Sequence, residues 1–118
     1  MLKKKFNELL TKYNIIYTII FDLDNESFKY IGDKQKLKYK GLVENLFGDA
    51  NKAIKLNNSL DREIMPQSWK QGELTSLVLK PEDNIIIGMF YEDNLEIFES
   101  YNLQEKINNE VMVLWKNN

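Results

Sequence analysis

Two side chains that enzymes use most for proton transfer and nucleophilic attack are missing from this sequence: it has no histidine and no cysteine. Their absence removes the Ser-His-Asp triad, thiol nucleophiles, disulfides, and the usual imidazole and thiolate sites for zinc and iron. Carboxylates, amines and hydroxyls remain. Among the 18 acidic residues, one pair stands out by its setting. Asp22 and Asp24 lie one residue apart where the apolar run Ile15–Asp22 ends. No second pair of acids has a setting that would mark it for glycoside chemistry. Gly41 and Gly48 lack the Gly-Lys-Ser/Thr ending of a phosphate loop, and Ser68 and Lys70 have one residue between them where a Ser-x-x-Lys pair has two.

The stretch Ile19-Ile20-Phe21-Asp22-Leu23-Asp24 resembles the first motif of haloacid-dehalogenase-type phosphatases. That resemblance implies a nucleophilic first carboxylate and an acid/base second one, both beside Mg²⁺. It ends at Glu26, where that motif carries Thr or Val, and 118 residues are too few for that family's parallel sheet. Leu23-Asp24-Asn25-Glu26 reads as a turn leading into the alternating stretch Ser27-Phe28-Lys29-Tyr30-Ile31, which predicts an antiparallel strand ending at Gly32-Asp33. The two aspartates are therefore expected to belong to an acidic β-turn.

The elements around that turn follow from periodicity. Leu2, Phe6, Leu9, Leu10 and Tyr13 recur at three- and four-residue spacing, which predicts an amphipathic helix over Leu2–Tyr13 ended by Asn14. Its run Lys3-Lys4-Lys5 reads as a solvated face. Ile15–Asp22 is apolar on both sides and rich in β-branched residues, as in a central covered strand. Tyr39, Leu42, Val43, Leu46 and Phe47 predict a helix over Lys38–Phe47, with Gly48 as its C′ residue and Asp49 capping a further turn or two. Arg62–Met65 is expected to be a short edge strand stopped by Pro66. Glu73–Lys80 and Ile85–Glu92 flank Pro81-Glu82-Asp83-Asn84 as the arms of a hairpin, with Gly88 marking a bulge or close approach. Asp93 with Glu96, and Asn102 with Glu105, read as two capping boxes that open two helices in tandem. The first carries Leu95 and Phe98, and the second Leu103, Ile107, Val111, Leu114 and Trp115.

These elements predict an α/β (α+β) fold: a single five-stranded, mostly antiparallel sheet flanked by helices, one domain over residues 1–118. Composition agrees, at 43% hydrophobic and 29% charged. A net charge of −2, with basic and acidic residues interspersed, gives no global reason to expect nucleic-acid binding. No apolar run approaches the roughly 20 residues that span a bilayer. Asn7, Glu8, Thr11 and Lys12 interrupt any signal-peptide core behind Lys3–Lys5. The expectations are a cytoplasmic chain with no membrane, metal or cofactor requirement. Lysine heavily outnumbers arginine, and Asn and Ile are abundant, as in AT-rich bacterial or phage coding.

The one stretch that invites a partner is Pro66–Gly72. Trp69 sits there among Gln67, Lys70 and Gln71, expected as a polar loop. Tryptophan in a polar rim often anchors an interface, because it buries a large area at little entropic cost. The competing expectation is that Trp69 folds back over the sheet. Gln67, Trp69, Lys70 and Gln71 are the candidate partner-binding residues.

The order helix, strand, strand, helix, short strand, strand, strand, helix resembles roadblock domains, the dynein-light-chain-like family, and more distantly longin and profilin-like folds. Set against those folds, this chain shows a short third strand ending at Pro66, a middle helix interrupted at Gly48-Asp49, and two C-terminal helices. The resemblance implies a non-enzymatic regulator or adaptor that dimerises and acts through protein contacts, with small GTPases among its partners. An open edge at Arg62–Met65 adds a physical reason to expect a homodimer. The second reading is a small inhibitor, an immunity or phage counter-defence protein that blocks the active site of a toxin or nuclease. It rests on small size, mild acidity and the missing catalytic groups.

Overall fold

A computed structural model describes residues 2–117. In chain order the elements are α1 (Leu2–Tyr13), β1 (Tyr17–Asp22), β2 (Ser27–Gly32), a 3-10 turn (Lys34–Lys36), α2 (Gly41–Phe47), α3 (Ala50–Ser59), β3 (Gln67–Gln71), β4 (Leu74–Glu82), β5 (Ile85–Glu92) and α4 (Ile97–Lys116). All five strands belong to one sheet in the order β2-β1-β5-β4-β3, and every pairing is antiparallel. The expected mixed, antiparallel architecture is what the chain adopts, and β1 and β5 lie inside the sheet as neighbours. An antiparallel sheet also removes the architecture that the phosphatase motif needs.

Alternation along the central strands sends side chains to two covered faces. Ile20, Leu77, Leu79, Ile87 and Met89 meet Phe6, Leu9 and Leu10 of α1 and Ile107 and Val111 of α4. Tyr17, Ile19, Phe21, Val78, Ile86 and Phe90 meet Val43 and Phe47 of α2 and Ala53 and Leu56 of α3 on the other face. Helices on both faces explain why β1 and β5 read as nearly continuous apolar runs. Asn14, at φ 55°, supplies the left-handed residue that ends α1, and the Ile15 N–H closes on the Leu10 carbonyl at 2.9 Å. Trp115 packs half-buried against the α1/α4 face, edge-on to Phe6 at 6.4 Å and 77°.

Three expectations need correction. First, Arg62–Met65 is not a strand: Arg62 has φ 67°, a left-handed conformation that breaks an extended run. The edge strand lies just after Pro66, at Gln67–Gln71, where only Trp69 is apolar. Its polar composition made it read as a loop, yet an edge strand has little core to meet and needs few apolar residues. Second, the two C-terminal helices are one. Asn102 lies inside α4, because an interior Asn costs at most about 0.7 kcal/mol whereas a break forfeits several backbone hydrogen bonds. Glu96 is the N-cap and makes no side-chain cap bond, while Asp93 accepts from the Leu95 N–H at 3.1 Å, one turn earlier.

Third, the middle helix starts at Gly41 rather than Lys38, and Gly48 caps it in a right-handed conformation (φ −62°). Asp49 does cap the following helix, accepting from the Lys52 N–H at 2.8 Å. Of the two alternatives for Gly88, a bulge or a close approach, the second holds. The register shifts between Leu79 and Glu82, where Pro81 has no N–H to donate. Gly88 is instead the site of a close approach: a Cβ built on it would stand 2.3 Å from Cε2 of Phe47.

A few polar groups are buried with the core. The Tyr91 hydroxyl is enclosed with no hydrogen-bond partner among the described residues, and burial, aided by the Asp93 charge, pushes its pKa above the ordinary tyrosine value. Burial also raises Tyr17, to about 12, with Tyr30 and Glu44 contributing. Tyr91→Phe is therefore expected to hold or raise stability at neutral pH, by up to about 1 kcal/mol, because it removes an unsatisfied hydroxyl. For both tyrosines the folded pKa lies above the unfolded value near 10, so their contribution is complete below about pH 10 and is lost as pH climbs above it. Urea titrations at pH 7 and pH 11 check both points. Tyr91→Phe should lose less stability over that interval than the parent chain, and equal losses would contradict the assignment.

Candidate functional site: an open strand edge

The candidate residues fall on β3, a terminal strand of the sheet, which among the described residues pairs with β4 alone. A two-residue turn, Gly72-Glu73, joins the two strands, and Gly72 takes φ 60°. The Tyr39 ring packs against that glycine, so a side chain there would face both strain and a neighbour. The register places Trp69 opposite Ser76, which in turn lies opposite Phe90 of β5. Ser76 is small and leaves room for the indole, which rests half-buried against the α2/α3 face of the core. Trp69 therefore folds back onto the sheet and keeps part of its surface exposed.

The other three candidates have internal partners. Gln71 Oε1 accepts from the Leu42 N–H at 3.2 Å. That bond fills an orphan donor in the first turn of α2, whose own N-cap, Lys40, makes no side-chain bond. Gln67 Nε2 donates to the Ile64 carbonyl at 2.8 Å and secures the segment entering the strand. Lys70 Nζ lies 3.4 Å from Asp93 Oδ1, and the Asp93 carboxylate is only 6% exposed. Asp93 also accepts from the Thr75 hydroxyl at 3.0 Å, so a nearly buried acid on the far side of β4 is satisfied three ways. Nothing in the sequence pattern pointed to Asp93 beyond its capping role, because its partners are distant in the chain.

Together these bonds tie β3 to α2 and to Asp93, while among the described residues the outer row of its backbone N–H and C=O groups has no strand partner. Nearby, Lys34 Nζ donates to Glu44 Oε1 at 2.6 Å and, through that bond and its charge, holds the Glu44 carboxyl below the usual carboxylate range. The pair links the 3-10 turn to α2 on an exposed surface, where it contributes little to stability.

The Asp22/Asp24 pair is accounted for as turn architecture. Asp22 accepts from the Asp24 and Asn25 N–H groups at 2.9 and 3.2 Å and from Asn25 Nδ2 at 2.9 Å, while Asp24 accepts from Asn84 Nδ2 at 3.0 Å. Among the described residues no three acidic, histidine or cysteine side chains gather as a metal site. None of the described helices is long and apolar enough to cross a membrane.

No protein-family model matches the sequence, and no curated protein matches it either. Solved structures do match the fold. Myxococcus xanthus MglB superimposes with a TM-score of 0.64 over 99% of this chain and 96% of its own, at 9% sequence identity. At that identity the likeness concerns the fold: a roadblock/longin-like arrangement of one antiparallel five-stranded sheet between helices.

Proposed function

We propose that this chain is a non-enzymatic interaction module of the roadblock kind, a single domain over 1–118 that works as a homodimer and regulates or scaffolds a small GTPase. The observation that carries the reading is the exposed β3 edge on a roadblock-like sheet. Two antiparallel copies of β3 would satisfy each other's open backbone groups across a twofold axis. Gln67, Trp69, Lys70 and Gln71 would line that contact. The corrected edge, Gln67–Gln71 in place of Arg62–Met65, moves the contact onto the strand that bears the tryptophan. It also brings α2 beside it, because Gln71 bonds the start of that helix. The opposite edge, β2, is likewise paired on one side among the described residues, with α1 packed against that strand as α2 is against β3.

The reading is tested by titrating the protein with each small GTPase of the source cell, loaded with GDP or with a non-hydrolysable GTP analogue. A regulator is expected to bind one nucleotide state about tenfold or more tighter than the other, as coupled sites do. Failure to bind any of them in either state would reject the GTPase assignment.

A further inference from the structure

Six residues at the start of α4 lie beyond the packed core. Ile97, Phe98 and Tyr101 are 79%, 73% and 60% exposed, and tertiary packing begins only at Leu103. Spacings of i, i+3 and i, i+4 put the three large side chains on one stripe, with Glu105 one turn further along it. Soluble chains rarely leave such a patch uncovered without a use for it.

Along the chain the acids dominate up to Glu105; Lys106 follows on the helix, and Lys12 lines the hollow beside Asn94, Leu95 and Leu103. From Pro81 to Glu105 the sequence has no lysine or arginine, while Glu92, Asp93, Glu96, Glu99 and Glu105 lie within it. Among the described residues only Asp93 of these five enters an ion pair. Helix-dipole complementarity explains Glu96 and Glu99 near the helix start but not Glu105, two turns in. A second copy is a poor occupant. The most basic element here, α1, already buries its apolar face (Phe6, Leu9, Leu10) and has no free stripe to offer. An anionic membrane is repelled by the same acids.

We infer that the start of α4 is a docking site for a basic amphipathic helix of a partner protein. The partner's apolar face packs on Ile97, Phe98 and Tyr101, and its lysines or arginines meet Glu96 and Glu105. This site is separate from the β3 edge, so either can fail without the other.

The test uses two fluorescently labelled synthetic helices with the same leucine stripe, one with lysine and one with glutamate at every polar position. Anisotropy titrations should show the lysine peptide binding about tenfold or more tighter than the glutamate peptide, with the difference shrinking in salt. Phe98→Ser with Tyr101→Ser should weaken the lysine peptide by about tenfold or more, with an unchanged melting temperature, because both rings are exposed. Glu96→Lys with Glu105→Lys should reverse the peptide preference. Equal binding of the two peptides, or unaltered binding by the serine variant, would overturn the proposal. Self-association of the protein that disappears in the serine variant would assign the patch to a second copy and overturn it as well.

Discussion

Gly88→Ala is expected to cost this protein about 2–4 kcal/mol, a large loss for a single methyl group. The glycine faces the α2/α3 side of the central strand, and its place is taken by the Phe47 ring, whose Cε2 and Cζ would lie 2.3 and 2.8 Å from the new Cβ. The ring has little room to withdraw. Phe47 is 3% exposed and packs edge-on to Phe90 at 6.2 Å and 80°. In thermal melts the variant should unfold about 10 °C below the parent. Phe47→Leu, which shortens the ring side, should be costly alone but should recover about 1 kcal/mol or more when combined with Gly88→Ala, giving a clear coupling energy in a double-mutant cycle. A Gly88→Ala chain as stable as the parent would mean that α2 does not sit on β5 as described.

Trp69→Ala carries the second large expectation, because the indole has two roles in this account. It is half-buried over Ser76 on the core face, so truncation should cost about 2 kcal/mol of stability, less than the 3–5 kcal/mol of a fully buried aromatic. The same ring borders the open edge, so self-association should weaken more than folding does. A thermal melt and a dilution series on one variant separate the two effects. If the variant folds as stably as the parent, the packing described for Trp69 is wrong. If it melts early yet associates like the parent once folded, the edge is not the contact surface.

Much of the architecture was legible in the sequence because it rests on strong local signals. The apolar runs of β1 and β5 required cover on both faces, and Asn14 and Asp49 announced a helix end and a helix start through side-chain and backbone chemistry of their own. The errors fell where local signals conflict with distant packing. Gln67–Gln71 is a strand because β4 is there to pair with it, and its polar composition hid that. Asn102 resembles a cap, but α4 passes through it because Ile107 and Val111 are anchored on the sheet downstream. Gly88 was flagged as a close approach or bulge, and which of the two held depended on Phe47, 41 residues away. The candidate quartet was chosen on composition alone. What the sequence withheld was its internal bonding: Gln71 to the start of α2, and Lys70 to the nearly buried Asp93.

The edge of β3 is expected to pair with a second copy, and the lack of any native cysteine allows a direct measurement. Single-cysteine variants Ser68→Cys and Lys70→Cys place a thiol on the edge strand, and Lys29→Cys places one on the opposite edge as a control. Under mild oxidation at tens of micromolar, at least one β3 variant should form a disulfide-linked dimer rapidly, since paired strands bring Cβ atoms to about 4.5–5.5 Å. The Lys29→Cys control should stay largely unlinked, and light scattering of the parent chain should report twice the monomer mass of 14.0 kDa. A parent chain that scatters at 14.0 kDa, with β3 cysteines linking no faster than the control, would contradict the account.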